Sequence, residues 1–170
     1  IRHELERIFD EERAAEALEM ARDFGTLQVI DPALVVDDAL LATLSALSGA
    51  ETPDMMLLFL STLSYGLLRG DASRLTARLN LDSRGTRIVA DSMFVKNSAD
   101  ELRSPGLRPR NLHRLLCRLD PVAVRGAVLA VSDPVLTQRL QLYLNDLRHV
   151  TTILNGDDLL AMGVLEGPLV

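Results

Sequence analysis

The chain of 170 residues carries a formal net charge of −6, is 48% hydrophobic but only 4% aromatic, and has one cysteine and no tryptophan. A single cysteine excludes an internal disulfide framework and a cysteine-based metal site, and no apolar run reaches the roughly 18 residues of a membrane span. The length suits one core, or two small layers in one continuous unit; the Leu- and Ala-rich apolar fraction suits helices, and the net acidity weighs against a nucleic-acid binder unless basic residues are locally gathered.

In chain order, apolar residues at three- and four-residue steps and capping residues predict helices at about 1–23, 33–48, 54–68, 72–80, 83–95, 98–103, 110–118, 121–130, 134–150 and 156–162. The first starts on Leu5, Ile8 and Phe9 and carries Glu4, Glu6, Asp10, Glu11, Glu12, Glu16 and Glu19. Carboxylates this dense invite a divalent cation, but they spread around the helix. Glu12 with Glu16, and Glu4 with Arg7, have the spacing of a solvated face, which is the favoured reading. The stretch "TLQVIDP" reads as a loop or brief extended connector. Asp31-Pro32, Thr52-Pro53, Asp120-Pro121 and Asp133-Pro134 each place a capping oxygen directly before a proline whose missing N–H costs nothing at a helix start. Asp71, Ser83 and Ser98 are further candidate caps, and Asp37-Asp38 complements the dipole early in its helix. "MMLLFLSTLSYGLL" at 55–68 is apolar nearly all round. It reads as a central core helix or, alternatively, as the face through which a homodimer or protein–protein module meets its partner. No strict alternation supports a strand and no fixed period supports a solenoid, so the expected fold is an all-α, irregular array of roughly nine to ten helices without a sheet.

Chemistry is sparse. There is no Gly-rich phosphate loop, no Ser-His-Asp grouping and no zinc spacing, and His3, His113 and His149 stand alone, so the chain shows no self-sufficient active site. Charge is unevenly spread: residues 1–60 hold 4 Arg against 13 acids, whereas residues 101–150 hold 8 Arg against 4 acids. "ELRSPGLRPRNLHRLLCRLD" contains Arg103, Arg108, Arg110, Arg114 and Arg118 together with His113. Arg110, Arg114 and Arg118 recur every fourth residue and would form one helical stripe able to follow a phosphate backbone with forked contacts. An ordinary exposed face pairing with the acidic first half explains them equally well. Cys117, among leucines and arginines, reads as a buried structural thiol. Aromatic residues for stacking unpaired bases are missing here, so any RNA contact would be directed by backbone and shape. The ending "DDLLAMGVLEGPLV" reads as a short helix, a turn and the opening of another helix. Gly163 and Gly167 either expose N–H groups to a phosphate or, at Gly163, simply cap a helix.

The order of "IRHELERIF", "ALEMARDFGTLQVIDPAL", "RLNLDSRGTRIV", "RPRNLHRLLCRLDPVAV" and "TILNGDDLLAMGVLEGPLV" resembles the carboxy-terminal part of the bacterial tRNA nucleotidyltransferase and poly(A) polymerase family, the class II CCA-adding and A-adding enzymes. The last segment is the distinctive one; Asn155 stands where the family commonly has Thr and Glu166 where it has Pro, and the opening lacks the family's first Arg. The resemblance implies the end of a neck over about 1–25, a helical body over about 26–150 and the start of a tail over about 151–170, together one continuous unit. It implies a cytoplasmic RNA-binding protein with no membrane partner, gripping tRNA or another structured RNA through Arg103, Arg108, Arg110, Arg114, Arg118, Gly163 and Gly167. Opening on Ile1, the chain is expected to be a piece of a longer enzyme. Its amino-terminal catalytic domain would hold the Mg²⁺ and the ATP or CTP. This part is then expected to have no cofactor, no catalytic or metal-binding residue of its own and no nucleotide-adding activity. The acidic first half is expected to form the back of the arm, and the choice between CCA addition and poly(A) tailing stays open.

Overall fold

The computed structural model describes residues 2–11, 13–47, 54–150 and Met162. Among the described residues eleven α-helices follow one another: α1 (Arg2–Asp10), α2 (Ala14–Asp23), α3 (Thr26–Ile30), α4 (Asp38–Leu47), α5 (Met55–Gly66), α6 (Arg69–Leu79), α7 (Ser83–Asn97), α8 (Ala99–Arg103), α9 (Pro109–Leu116), α10 (Pro121–Ala130) and α11 (Pro134–Asn145). A 3-10 turn, Leu147–His149, follows α11. The described residues contain no strand, and none of their helices is long and apolar enough to cross a membrane. The expected all-α array is what forms. Residues 156–161 of the predicted helix at 156–162 and the Thr52-Pro53 cap lie outside the described residues.

The apolar helix α5 lies in the middle, packed on α1, α7 and α10, and buries Met56, Leu58, Phe59, Leu60, Ser61 and Ser64. One core gathers around its Phe59 and Leu60 with Leu5, Phe9, Leu18, Leu27, Leu34, Leu75 and Leu79; the rings of Phe9 and Phe59 lie 5.1 Å apart, tilted by 41°. A second core joins α7 to α11 through Val95, Leu102, Leu112, Leu116, Leu136, Leu140 and Tyr143. Leu58, Ile88, Val122 and Ala123 fill the waist between them. There α5, α7 and α10 approach closely because the facing residues are small. The Ser61 hydroxyl is hydrogen-bonded to Ser92 Oγ at 2.8 Å and lies 3.2 Å from the carbonyls of Val122 and Ala123. Gly126 of α10 sits against Ser61, and a Cβ there would fall 2.0 Å from Ser61 Oγ and 2.8 Å from the backbone nitrogen of Thr62.

Three expectations are corrected. The predicted helix 1–23 is two helices, broken after Asp10. At about 100° per residue, Leu5, Ile8 and Phe9 point roughly opposite to Ala14 and Leu18. One straight helix could not bury both sets, and with the break α1 packs on α5 while α2 packs on α4. The "TLQVIDP" connector is instead α3. Gly25, at φ +68°, turns the chain after α2, Thr26 donates its hydroxyl to the Ala21 carbonyl at 2.8 Å, and Leu27 is buried. Burial of Leu27 overrides the extended preference of the β-branched residues.

The third correction concerns capping. Asp31 does not open α4; its Oδ1 accepts the Ala33 N–H at 2.8 Å, and both its oxygens hold Arg74 at 3.1 Å. Asp31 is buried while Arg74 stays half exposed, and residues 32–37 form a run in which Ala33, Leu34 and Val36 enter the core. Asp37 caps α4 instead, accepting the Leu40 N–H at 2.8 Å. Likewise Asp82, not Ser83, caps α7 through the Gly85 N–H at 2.7 Å, and Asp71 lies inside α6. Asp120 and Asp133 cap α10 and α11 as their Asp-Pro pairs predict, accepting the N–H of Val122 at 2.9 Å and of Val135 at 2.9 Å.

Candidate nucleic-acid interface

Helix α9 begins at Pro109, with Arg108 in extended conformation before it, and ends at Leu116. Leu112 and Leu116 are buried in the second core. At about 100° per residue Arg110 and Arg114 point to the far side of the helix, and both are exposed. The predicted stripe is shorter than a helix over 110–118 would give, because Arg118 lies in the turn after α9. The reason is the next cap. Asp120 must be extended to precede Pro121 and receive Val122, which leaves residues 117–119 to reverse the chain. That turn is pinned from α7: Arg87 donates to the Arg118 carbonyl, and Asp91 accepts the Asp120 N–H at 2.8 Å. Arg118 is thereby anchored through its backbone while its side chain stays exposed.

Arg108, Arg110, Arg114 and Arg118 are exposed, and their side chains make no ion pair or hydrogen bond with a described residue. Elsewhere the arginines are mostly occupied. Arg2 holds Glu6 at 3.1 Å, Arg7 holds Glu4 at 3.7 Å, Arg13 holds Glu16, and Arg22 reaches Asp38 at 2.6 Å. Glu4, Glu6, Glu16 and Glu19 of the first two helices are therefore answered locally, and among the described residues no three His, Cys, Asp or Glu side chains converge to hold a metal.

Arg103 differs from the other four. Its guanidinium binds Asp133 at 2.6 Å and Asp100 at 3.1 Å, and Asp133 simultaneously caps α11. The Arg103 hydrogen bond, joined by the Leu136 and Val135 N–H groups, holds the Asp133 carboxyl below its usual range. Arg103 is a clamp between α8 and α11 before it is anything else. Gly163 and Gly167 lie outside the described residues. Cys117 is exposed, contrary to its reading as a buried thiol; it caps the end of α9, with Sγ 3.7 Å from the Arg114 carbonyl.

Two residues join the basic corner that sequence reasoning passed over. The predicted helix 134–150 stops at Asn145, and the 3-10 turn that follows packs against α9, with Arg148 and His149 exposed. Tyr143 ties the corner together: buried, with its ring 6.3 Å from that of His113, it has its phenol pushed up by burial and by Cys117 and drawn partly back by Arg148. Reading 146–150 as a continuing helix scattered its charges; the run Leu-Arg-His was the available cue. Together these residues make an exposed, cationic, aromatic-poor surface of the kind that can meet phosphates.

The described residues define an irregular all-α array with a basic corner around α9. Comparison of the chain with models of known families, with curated proteins and with solved structures returns no match.

Proposed function

We propose that this chain is a non-catalytic, RNA-gripping helical part of a tRNA nucleotidyltransferase or poly(A) polymerase, holding tRNA or another structured RNA by its phosphates while a separate catalytic domain extends the 3′ end. The observation that carries the reading is the set of exposed guanidiniums at Arg108, Arg110, Arg114 and Arg118, unpaired among the described residues, within a run from Ser104 to Leu119 that contains no acid. Forked donors with no partner among the described residues fit phosphate oxygens, and the scarcity of exposed aromatics there fits recognition by shape. The motif order supports the choice of enzyme class. In that class Mg²⁺ and ATP or CTP belong to the catalytic domain. Incubation of this chain with tRNA, ATP and Mg²⁺ should retard the tRNA in a native gel at low salt without lengthening it. Extension of the RNA would contradict the non-catalytic assignment, and failure to retard it would contradict the gripping role.

One observation favours a second reading, a protein–protein or homodimerisation module. Helix α5, whose apolar sequence also suits that role, is buried within the chain. Met20, Phe24 and Val29, on α2, its end and α3, are 59%, 77% and 81% exposed. Concentration-independent sedimentation, with tRNA binding intact, would remove the homodimer form of this reading.

A further inference from the structure

On the acidic half, Arg22 of α2 lies 3.5 Å from Glu19, 3.1 Å from Asp23 and 2.6 Å from Asp38, so three carboxylates converge on one guanidinium. Arg22 is largely covered, whereas all three acids are more than half exposed. Three carboxylates against one guanidinium leave this point at −2. Of the other charges on the neighbouring helices, Arg13 is taken by Glu16, and Arg78, which donates to the Ile30 carbonyl at 3.1 Å, is matched in number by Asp37 beside Asp38. Met20 and Phe24 stand open one turn apart on α2 and its end. The Phe24 N–H still bonds the Met20 carbonyl at 3.0 Å, so the two form one row, next to the row of Glu19 and Asp23.

An open thioether and ring edged by unbalanced carboxylates are matched by cations on apolar stems. Arginine has both parts: its fork meets carboxylates, its stem covers apolar surface, and its guanidinium stacks on an aromatic face. The chain itself presents such a surface. Arg108, Arg110, Arg114, Arg118 and Arg148 are exposed around α9, against Asp146, the acid that directly precedes the 3-10 turn. Asp91 and Asp120, behind Arg118, are engaged by Arg87 and Arg84. Pairing the acidic surface with itself across a two-fold axis would set Glu19, Asp23 and Asp38 of both copies face to face. Pairing two basic corners would do the same with arginines, and like charges so placed oppose association. The acidic surface of one copy against the basic corner of the next is the complementary arrangement.

We infer that the chain self-associates head to tail, the Met20–Phe24 face and its three acids on one copy receiving the arginines around α9 of another. Such a contact is not closed by two-fold symmetry and extends into a ring or a string. The inference rests on the protein–protein reading above and names the partner as a second copy. Because the same arginines serve RNA in the first reading, RNA and the second copy compete for them.

Sedimentation velocity of the whole chain over a concentration series is the test. At about 20 mM salt the sedimentation coefficient should rise with concentration, and about 300 mM salt should weaken the association about ten-fold or more, because exposed charge contacts are screened. Two variants each remove one side: Glu19→Gln, Asp23→Asn, Phe24→Ser, and Arg110→Gln, Arg114→Gln, Arg118→Gln. All six positions are exposed, so the fold is kept. Neither variant should associate alone. Mixed in equal amounts they should form a one-to-one complex that grows no further, since each carries the side that the other lacks. An equal amount of tRNA should dissolve the assemblies of the parent chain. A parent chain that stays monomeric at low salt overturns the inference, as does association that ignores salt, or a mixture of the variants that fails to associate. Self-association that both variants keep would sink it while leaving the homodimer reading to another surface. If tRNA binds without dissolving the assemblies, the arginines are not shared and the head-to-tail contact fails. If tRNA does not bind, the RNA-gripping reading alone is contradicted, and the mixing result decides the contact.

Discussion

Replacing Gly126 by alanine tests whether the waist of the molecule is held by close helix approach. A helix-interior Gly→Ala change ordinarily stabilises by up to about 1 kcal/mol. Here the added Cβ would meet Ser61 Oγ at 2.0 Å, Ser61 Cβ at 2.5 Å and the Thr62 nitrogen at 2.8 Å. Turning the Ser61 side chain relieves only the first of these; the last is backbone, so α5 and α10 must separate. Overpacking of this kind costs about 1–3 kcal/mol. Displacing Ser61 also strains its bond to Ser92, a buried contact whose loss costs about 1 kcal/mol or more. The propensity gain is outweighed, and a net destabilisation of about 1–3 kcal/mol follows. In a chain of this size that corresponds to a fall in Tm of about 2–12 °C. Urea unfolding of Gly126→Ala beside Gly70→Ala is the assay. Gly70 lies in α6 with nothing within 4 Å of its would-be Cβ, so its variant should be neutral or slightly stabilised. If Gly126→Ala proves as stable as the parent chain, the close packing of α5 on α10 is refuted.

Asp31→Asn should cost about 1–3 kcal/mol by weakening its charge-assisted bonds to Arg74, and should flatten the acid limb of stability. Arg74 holds the Asp31 carboxyl below its ordinary range, so its contribution is present above the unfolded-state pKa and is lost as pH falls below about 4 toward the folded-state value; acid unfolding followed by circular dichroism checks this. Cys117 should react with Ellman's reagent in the native state at a rate close to that of a free thiol, whereas slow labelling that requires denaturant would mean a buried sulfur. Arg103→Ala should lower thermal stability by releasing the α8–α11 clamp while changing RNA affinity less than Arg110→Ala does; a larger loss of binding at Arg103 would place it among the phosphate contacts.

The helices were readable because their starts and faces are written locally. Asp120-Pro121 and Asp133-Pro134 fix two starts to the residue, and the continuous apolarity of Met55–Gly66 marks the helix that everything else surrounds. Asp31-Pro32 looks identical in sequence to those two pairs, and its Oδ1 likewise accepts the N–H two residues on, but no helix follows: Ala33, Leu34 and Val36 enter the core while the carboxylate also holds Arg74, 43 residues away. A long-range partner of that kind leaves no local trace. The break between α1 and α2, by contrast, is written in the sequence as a change of phase between Phe9 and Ala14, which counting apolar residues without their angles conceals. In the basic corner, the spacing of Arg110 and Arg114 gave their shared face, but the engagement of Arg103 by Asp133 and the arrival of Arg148 beside α9 depend on how α8, α9 and α11 meet.

The central claim is that the arginines around α9 hold RNA phosphates, and the salt dependence of tRNA binding reads it most directly. The parent chain should show log affinity falling linearly with log salt concentration, and the Arg110→Ala, Arg114→Ala, Arg118→Ala variant should flatten that slope by about one for each phosphate contact removed. Equal slopes for the two proteins, or tRNA binding that ignores salt, would contradict the account.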